Sequence, residues 1–264
     1  MKRYLFKKIA ILAVTLSLIV SQAVAMNPAT TEFAWDFHDT LAQMNSTEMA
    51  KIFLKHMVSR NSGYATISLI SGLLFDYPRY YLTGAVGPRQ ELMNNIRALM
   101  KKGTVGEEYF DLIGNYDSSL RPIAEEMACA FKPTDGIPAL LQELAALGYT
   151  QRLASNMGGG SERANHEKKL PVIFGYLQGG KAVDYTRPVL VKKPDILYFQ
   201  EYQAEFNPNG DKTIIFIDDN PVSKSHPDRP KNTDVAQAAG MIGVEFKNVA
   251  QLRADLKKLG IPLS

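Results

Sequence analysis

Ile214 to Ile217 is wholly apolar and stops abruptly on two adjacent acids, Asp218 and Asp219. A run this short and this apolar reads as a buried strand. Two carboxylates at a strand end repel each other unless a cation or base joins them. A second short apolar stretch delivers another carboxylate, Asp36, into a turn that closes through His38, Asp39, Thr40 and Leu41. With Asp36 nearby, Asp218 and Asp219 would form an oxygen-rich pocket suited to Mg2+, which takes carboxylates and keeps several waters. In that pocket Asp218 is expected as the direct ligand, with Asp219 as a partner to the metal or to a base.

Two further segments carry polar groups beside apolar runs. Gln151 to Asn156 follows an amphipathic stretch with Ile137, Leu140, Leu141, Leu144 and Leu147 at helical spacing and Gly148 as its stop. Taken alone, Ser155-Asn156 is a turn after a strand. Further on, Val191-Lys192-Lys193-Pro194-Asp195 leads into Ile196, Leu197 and Phe199, whose spacing suits the inner face of a helix. Pro194 is expected at the first helical position, with Lys193 just before it. By itself, such a Lys pair is a solvated helix start.

Taken together and in this order, the four segments resemble the motifs of the haloacid dehalogenase (HAD) superfamily. The first family motif is Asp-x-Asp-x-Thr, in which the first Asp attacks phosphorus. Here Asp36 stands in the nucleophile's place, and His38 replaces the second Asp, the family's acid and base. The resemblance implies that Ser155 and Asn156 bind the phosphate and that Lys193 offsets the charge around nucleophile and phosphate. It also implies a Mg2+ cofactor held by Asp36, the backbone carbonyl of His38, Asp218 and Asp219. A hydroxyl such as that of Ser155 can donate to a phosphoryl oxygen as charge builds in the transition state.

The remaining chain fits a doubly wound α/β fold, a Rossmann-like parallel sheet with a helical cap inserted after the first motif. Asp234 to Met241 reads as a small-residue helix closed by Gly240, leading into a strand from Ile242 to Phe246. A last helix is expected after Asn248 as N-cap, with Val249, Leu252, Leu256 and Leu259 on one face and Gly260 as stop. The core is expected at 26–44 and 133–264, with the cap at 45–132. Helical patterning in that insert includes Met49, Ile52, Phe53 and Met57, and again Leu92, Ile96 and Leu99. Arg79 and its neighbouring tyrosines are candidate ligand contacts there, although aromatics in a helical lid more often serve packing. Ser223 to Thr233 is a polar insert expected as a loop on the site's rim.

Some tempting features carry no chemistry. The glycines at 158–160 lack the following Gly-Lys-Ser/Thr of a phosphate loop and are read as a turn. His56, His166 and His226 show no metal-ligand spacing and are read as surface or structural residues. Cys129 reads as a buried structural thiol.

Residues 1–25 read as a Sec-type signal peptide: Lys2, Arg3, Lys7 and Lys8, then an apolar stretch from Ile9 to Val20, then Ala23-Val24-Ala25. The apolar stretch is shorter than the roughly 20 residues of a membrane span, so cleavage after Ala25 and a periplasmic or secreted product are expected, without stable membrane anchoring. Removing those four basic residues from 30 leaves 26 against 27 acids. Near-neutral charge implies no nucleic-acid surface, and a lone Cys allows no internal disulfide.

The function expected is therefore that of an exported Mg2+-dependent phosphomonoester phosphatase, acting on a small phosphorylated molecule through an aspartyl-phosphate on Asp36. In that scheme His38 serves as acid and base, its pKa raised by the nearby acids and lowered by Mg2+. The alternatives are a HAD-fold binding protein that has lost turnover, and a hydrolase of another bond, of dehalogenase or phosphonatase type.

Overall fold

The computed structural model describes residues 25–58, 121–128, 130–158, 161–184, 187, 189, 191–220 and 230–264. The leader, the stretches around Arg79 and Leu92 to Leu99, Cys129 and His226 lie outside them.

Five strands form a single parallel sheet: β1 (Thr31–Trp35), β4 (Thr150–Gly158), β5 (Gly180–Val183), β6 (Thr213–Asp218) and β7 (Ile242–Glu245). Their order is β5-β4-β1-β6-β7. The chain winds outward from β1 through β4 to β5, then crosses back to β6 and β7 on the other side. This reversal opens a crevice beyond the carboxyl ends of the central strands, the place where such sheets bind ligands.

Period-two alternation sends successive residues to opposite faces. Phe33, Trp35, Ile215 and Ile217 pack with Leu140 and Leu144 of α3 (Ile137–Ala146) and Leu252 and Leu256 of α8 (Val249–Lys258). Ala34, Ala154, Ile214 and Phe216 meet Tyr198, Phe199 and Tyr202 of α6 (Ile196–Phe206) and Ala236 of α7 (Asn232–Ala238). Because helices cover both faces, Phe33 to Trp35 of β1 and Ile214 to Ile217 of β6 are continuous apolar runs.

Strand register places the site. Trp35 lies opposite Leu153 on one side and Ile217 on the other. The next residue, Asp36, donates its backbone N–H to the Ile217 carbonyl at 2.9 Å. Asp36 thus leaves the sheet level with Asp218.

A separate two-stranded antiparallel ladder, β2 (Ala42–Met44) with β3 (Phe131–Pro133), follows the Asp36 turn. Between these strands in sequence lie α1 (Ser46–Val58) and α2 (Arg121–Ala128), tied by Lys55 to Glu126 at 2.7 Å. The half-buried His56 stands 3.3 Å from the same carboxylate. On the other side of the core, α4 (Ser161–Lys169) and the short α5 (Pro171–Phe174) connect β4 to β5.

The fold departs from the sequence expectations in four places. β4 runs to Gly158 rather than turning at Ser155-Asn156, because it keeps pairing with β5 through a register shift between Ala154 and Gly158. Pro194 precedes the helix instead of starting it: Asp195 is the N-cap, accepting from the Leu197 N–H at 2.9 Å. Ile196 and Leu197 are consequently more than two-fifths exposed, and the inner face of α6 is Tyr198, Phe199 and Tyr202. α7 begins at Asn232, so the end of the polar insert is helical and buried.

Candidate active site

Asp36, Lys193 and Asp218 meet in one buried cluster at the carboxyl ends of β1 and β6. The Lys193 ammonium donates to Asp36 Oδ1 and to Asp218 Oδ2, each at 2.7 Å, and lies 5.2 Å from the centre of the Phe216 ring. Lys193 is only 1% exposed, although no strand or helix carries it. Asn156 holds the loop: its Oδ1 accepts from the Lys193 backbone N–H at 2.8 Å, and its Nδ2 donates to the Lys193 carbonyl at 3.1 Å. Asn156, expected to bind phosphate, thus fastens the lysine's backbone to β4.

Asp218 is fully buried and surrounded by donors. Its Oδ1 accepts from the Asn220 backbone N–H at 2.8 Å and from Asn232 Nδ2 at 3.0 Å; its Oδ2 accepts from Lys193 and again from Asn232 Nδ2, at 3.0 Å. Both oxygens therefore carry two donors from this chain. The backbone turns sharply after the pair of acids, with Asn220 at a φ of +49°, a left-handed conformation that Asn tolerates better than most residues. Its side chain receives the Thr233 N–H at 3.0 Å and donates to the Thr233 hydroxyl at 2.9 Å. Sequence reasoning missed Asn220, Asn232 and Thr233.

Oxygens of Asp36, Asp218 and Asp219 all lie within 4.8 Å of one another. Opposite oxygens around Mg2+ stand about 4.2 Å apart, given bonds of about 2.1 Å, so this donor set is of the right chemistry and close to the right span. With two donors on each oxygen of Asp218, Asp36 and the partly exposed Asp219 are the carboxylates better placed for direct contact.

The electrostatics call for a cation. Burial pushes the Asp36 carboxyl up to about 6, against the lowering pull of Lys193. Asp219 is pushed up to about 7 by burial and by the charges of Asp36, Asp218 and Asp39. Burial alone would lower Lys193, yet Asp218 and Asp36 outweigh it and hold the ammonium above its ordinary value. Three carboxylates against one ammonium leave an excess of negative charge.

Ser155 stands on β4, one residue beyond the level of Asp36, fully buried. Its Oγ accepts from the Met157 N–H at 3.4 Å, which leaves the hydroxyl proton to donate. His38, two residues past Asp36, belongs to a different environment. Its ring packs against Phe37 and Phe131, both 5.1 Å between centroids, and lies 6.4 Å from that of His166. Burial first, then the charges of His166 and Lys193, lower its pKa to about 4. Burial among these rings, rather than a raising effect of the nearby acids, sets the direction. His166 is completely buried, and its pKa is also lowered to about 4, chiefly by burial.

No known protein family model matches the sequence, and no curated protein does. Among the solved structures similar to the chain are HAD-family hydrolases. A HAD family enzyme from Bacteroides thetaiotaomicron is 16% identical with a TM-score of 0.49, covering 83% of this chain and 95% of that one. The HAD-hydrolase YfnB of Bacillus subtilis, solved bound to magnesium, is 15% identical with a TM-score of 0.48, covering 86% and 99%. A hydrolase from Streptococcus pneumoniae is 14% identical with a TM-score of 0.45, covering 86% and 98%.

Proposed function

We propose that the chain is an exported, Mg2+-dependent phosphomonoester phosphatase that works through an aspartyl-phosphate on Asp36. The observation carrying this reading is the Lys193 ammonium shared at 2.7 Å by Asp36 and Asp218, with Asp219 alongside. A buried carboxylate held in place by a cation is a positioned nucleophile. When bound, Mg2+ offsets phosphoryl charge and polarises the group under attack; Asp36 and Asp219 would hold it, with the His38 carbonyl.

A carboxylate oxygen of Asp36 bonds to phosphorus as the ester oxygen leaves with the bonding electron pair. The leaving oxygen takes a proton from water. Ser155 donates its hydroxyl hydrogen to a phosphoryl oxygen, and Lys193 balances charge at Asp36. A water molecule then attacks the acyl phosphate, releasing phosphate and restoring Asp36. A neutral His38 at pH 7 supplies no imidazolium, so substrates whose leaving groups need little protonation are favoured. The same neutral imidazole also supports the second reading, a binding protein that retains the pocket without efficient turnover.

The small phosphorylated substrate meets the protein outside the cytoplasm, after removal of residues 1–25. Among the described residues no helix is long and apolar enough to cross a membrane. The test is a phosphomonoester screen of the mature chain with Mg2+ and with EDTA. Turnover that requires Mg2+ is expected; metal-independent turnover contradicts the proposal.

A further inference from the structure

We infer that Asn232 is a positioning residue for the proposed phosphatase reaction, one that holds Asp218 turned onto Lys193 and so keeps the ammonium on Asp36. The inference rests on the function proposed above.

A carboxylate's torsion about Cβ–Cγ is soft and broadly two-fold, so a buried Asp points where its donors fix it. Asn232 Nδ2 lies 3.0 Å from both oxygens of Asp218. Of the two polar atoms of the Asn232 amide only the nitrogen can face two carboxylate oxygens, since the amide oxygen has nothing to donate. The other two donors each reach one oxygen: the Asn220 N–H on Oδ1 and Lys193 on Oδ2. Asn232 is the group that resists rotation of the carboxylate in either sense. Asp218 has no exposure to solvent, so water cannot replace the amide without rearrangement.

Asn232 is itself held. It is the first residue of α7, and the next residue, Thr233, makes the reciprocal pair with the Asn220 side chain. That latch joins the turn after β6 to the start of α7, so the amide arrives over Asp218 at a fixed height. The order of support runs from Asn220 and Thr233 to Asn232, then Asp218, Lys193 and Asp36. Asn232 acts on Lys193 and Asp36 through Asp218.

The test uses the mature chain carrying Asn232→Ala and, separately, Asn232→Asp. With p-nitrophenyl phosphate and saturating Mg2+, Asn232→Ala should lose about 10- to 100-fold in kcat, the worth of a hydrogen bond to a charged group, with KM nearly unchanged. A readout independent of turnover is acetylation of Lys193 by limiting acetic anhydride in EDTA, followed by mass spectrometry. Loosened from Asp218, Lys193 should react severalfold faster in Asn232→Ala than in wild type. Asn232→Asp keeps the shape but replaces a donor by a fourth carboxylate, so at pH 7.5 in EDTA it should melt below Asn232→Ala.

Wild-type kcat together with wild-type labelling in Asn232→Ala overturns the inference, as does an Asn232→Asp protein as stable as wild type. If Asn232→Ala fails to fold, labelling and melting of Asn232→Asp decide. A wild type inert on every phosphomonoester sinks the proposed function while the labelling still decides the role of Asn232.

Discussion

Lys193→Met removes the ammonium while keeping an unbranched apolar stem, and so isolates the charge at the centre of the site. Two buried carboxylates, each 2.7 Å from Nζ, lose their shared cation. Breaking a buried ion pair by removing one partner costs about 3–5 kcal/mol. Protonation limits the cost here. Asp36 already stands at about 6 with Lys193 present, and without the lysine it moves higher, so the variant takes up a proton rather than burying a bare charge. At pH 7.5 a proton on a group of pKa 6 costs about 2 kcal/mol, which points to the lower part of that range. For a chain of this length the loss corresponds to a Tm lower by roughly 6–15 °C.

The sign of the pH dependence follows from linkage. In Lys193→Met the folded carboxyl pKa stands above the unfolded value of about 3.9, so the folded state binds more protons. In wild type the same carboxyl already stands at about 6 and the unfolded chains are alike, so the variant's deficit relative to wild type is smallest below about pH 6 and grows as pH rises through the variant's higher folded value. Urea denaturation in EDTA at pH 5.0 and pH 7.5 reads this directly. The deficit should be clearly smaller at pH 5.0, and Mg2+ at pH 7.5 should recover part of it by mass action. A deficit equal at both pH values and indifferent to Mg2+ would show that Lys193 contributes packing rather than charge.

Two other outcomes are expected. Because burial holds His38 at about 4, kcat profiles of wild type and His38→Gln from pH 5.5 to 8 with p-nitrophenyl phosphate and Mg2+ should share one shape; a limb near 6.5 seen only in wild type refutes the neutral imidazole. Mass spectrometry of exported protein should find a chain beginning at Met26, and an intact leader on a membrane-bound product contradicts the proposed cleavage.

The central strands were legible because nothing but burial on both faces explains an apolar run such as Ile214 to Ile217. Asp36, Lys193, Asp218 and Asp219 were legible for a related reason, since each charged group borders an apolar run and needs a partner. Asn232 gave no such signal. It lies 14 residues beyond Asp218, past a polar stretch without periodicity, and only the Asn220–Thr233 latch reveals why it returns. The environment of His38 was equally hidden, because the rings that bury it come from Phe131 on β3 and His166 on α4. Strand β4 outlasted its expected turn because its later pairing is with β5, whose short run Gly180–Val183 has little sequence signature.

Turnover by Asp36→Asn isolates the proposed nucleophile. The amide removes the nucleophile's charge while nearly keeping its shape, and the measurement is phosphate release from the best phosphomonoester of the screen, at saturating Mg2+, against wild type. Asp36 as nucleophile predicts a loss of several orders of magnitude in kcat, with no phosphoryl adduct on the peptide carrying residue 36 after acid quench. Wild-type turnover by Asp36→Asn would exclude Asp36 as the nucleophile.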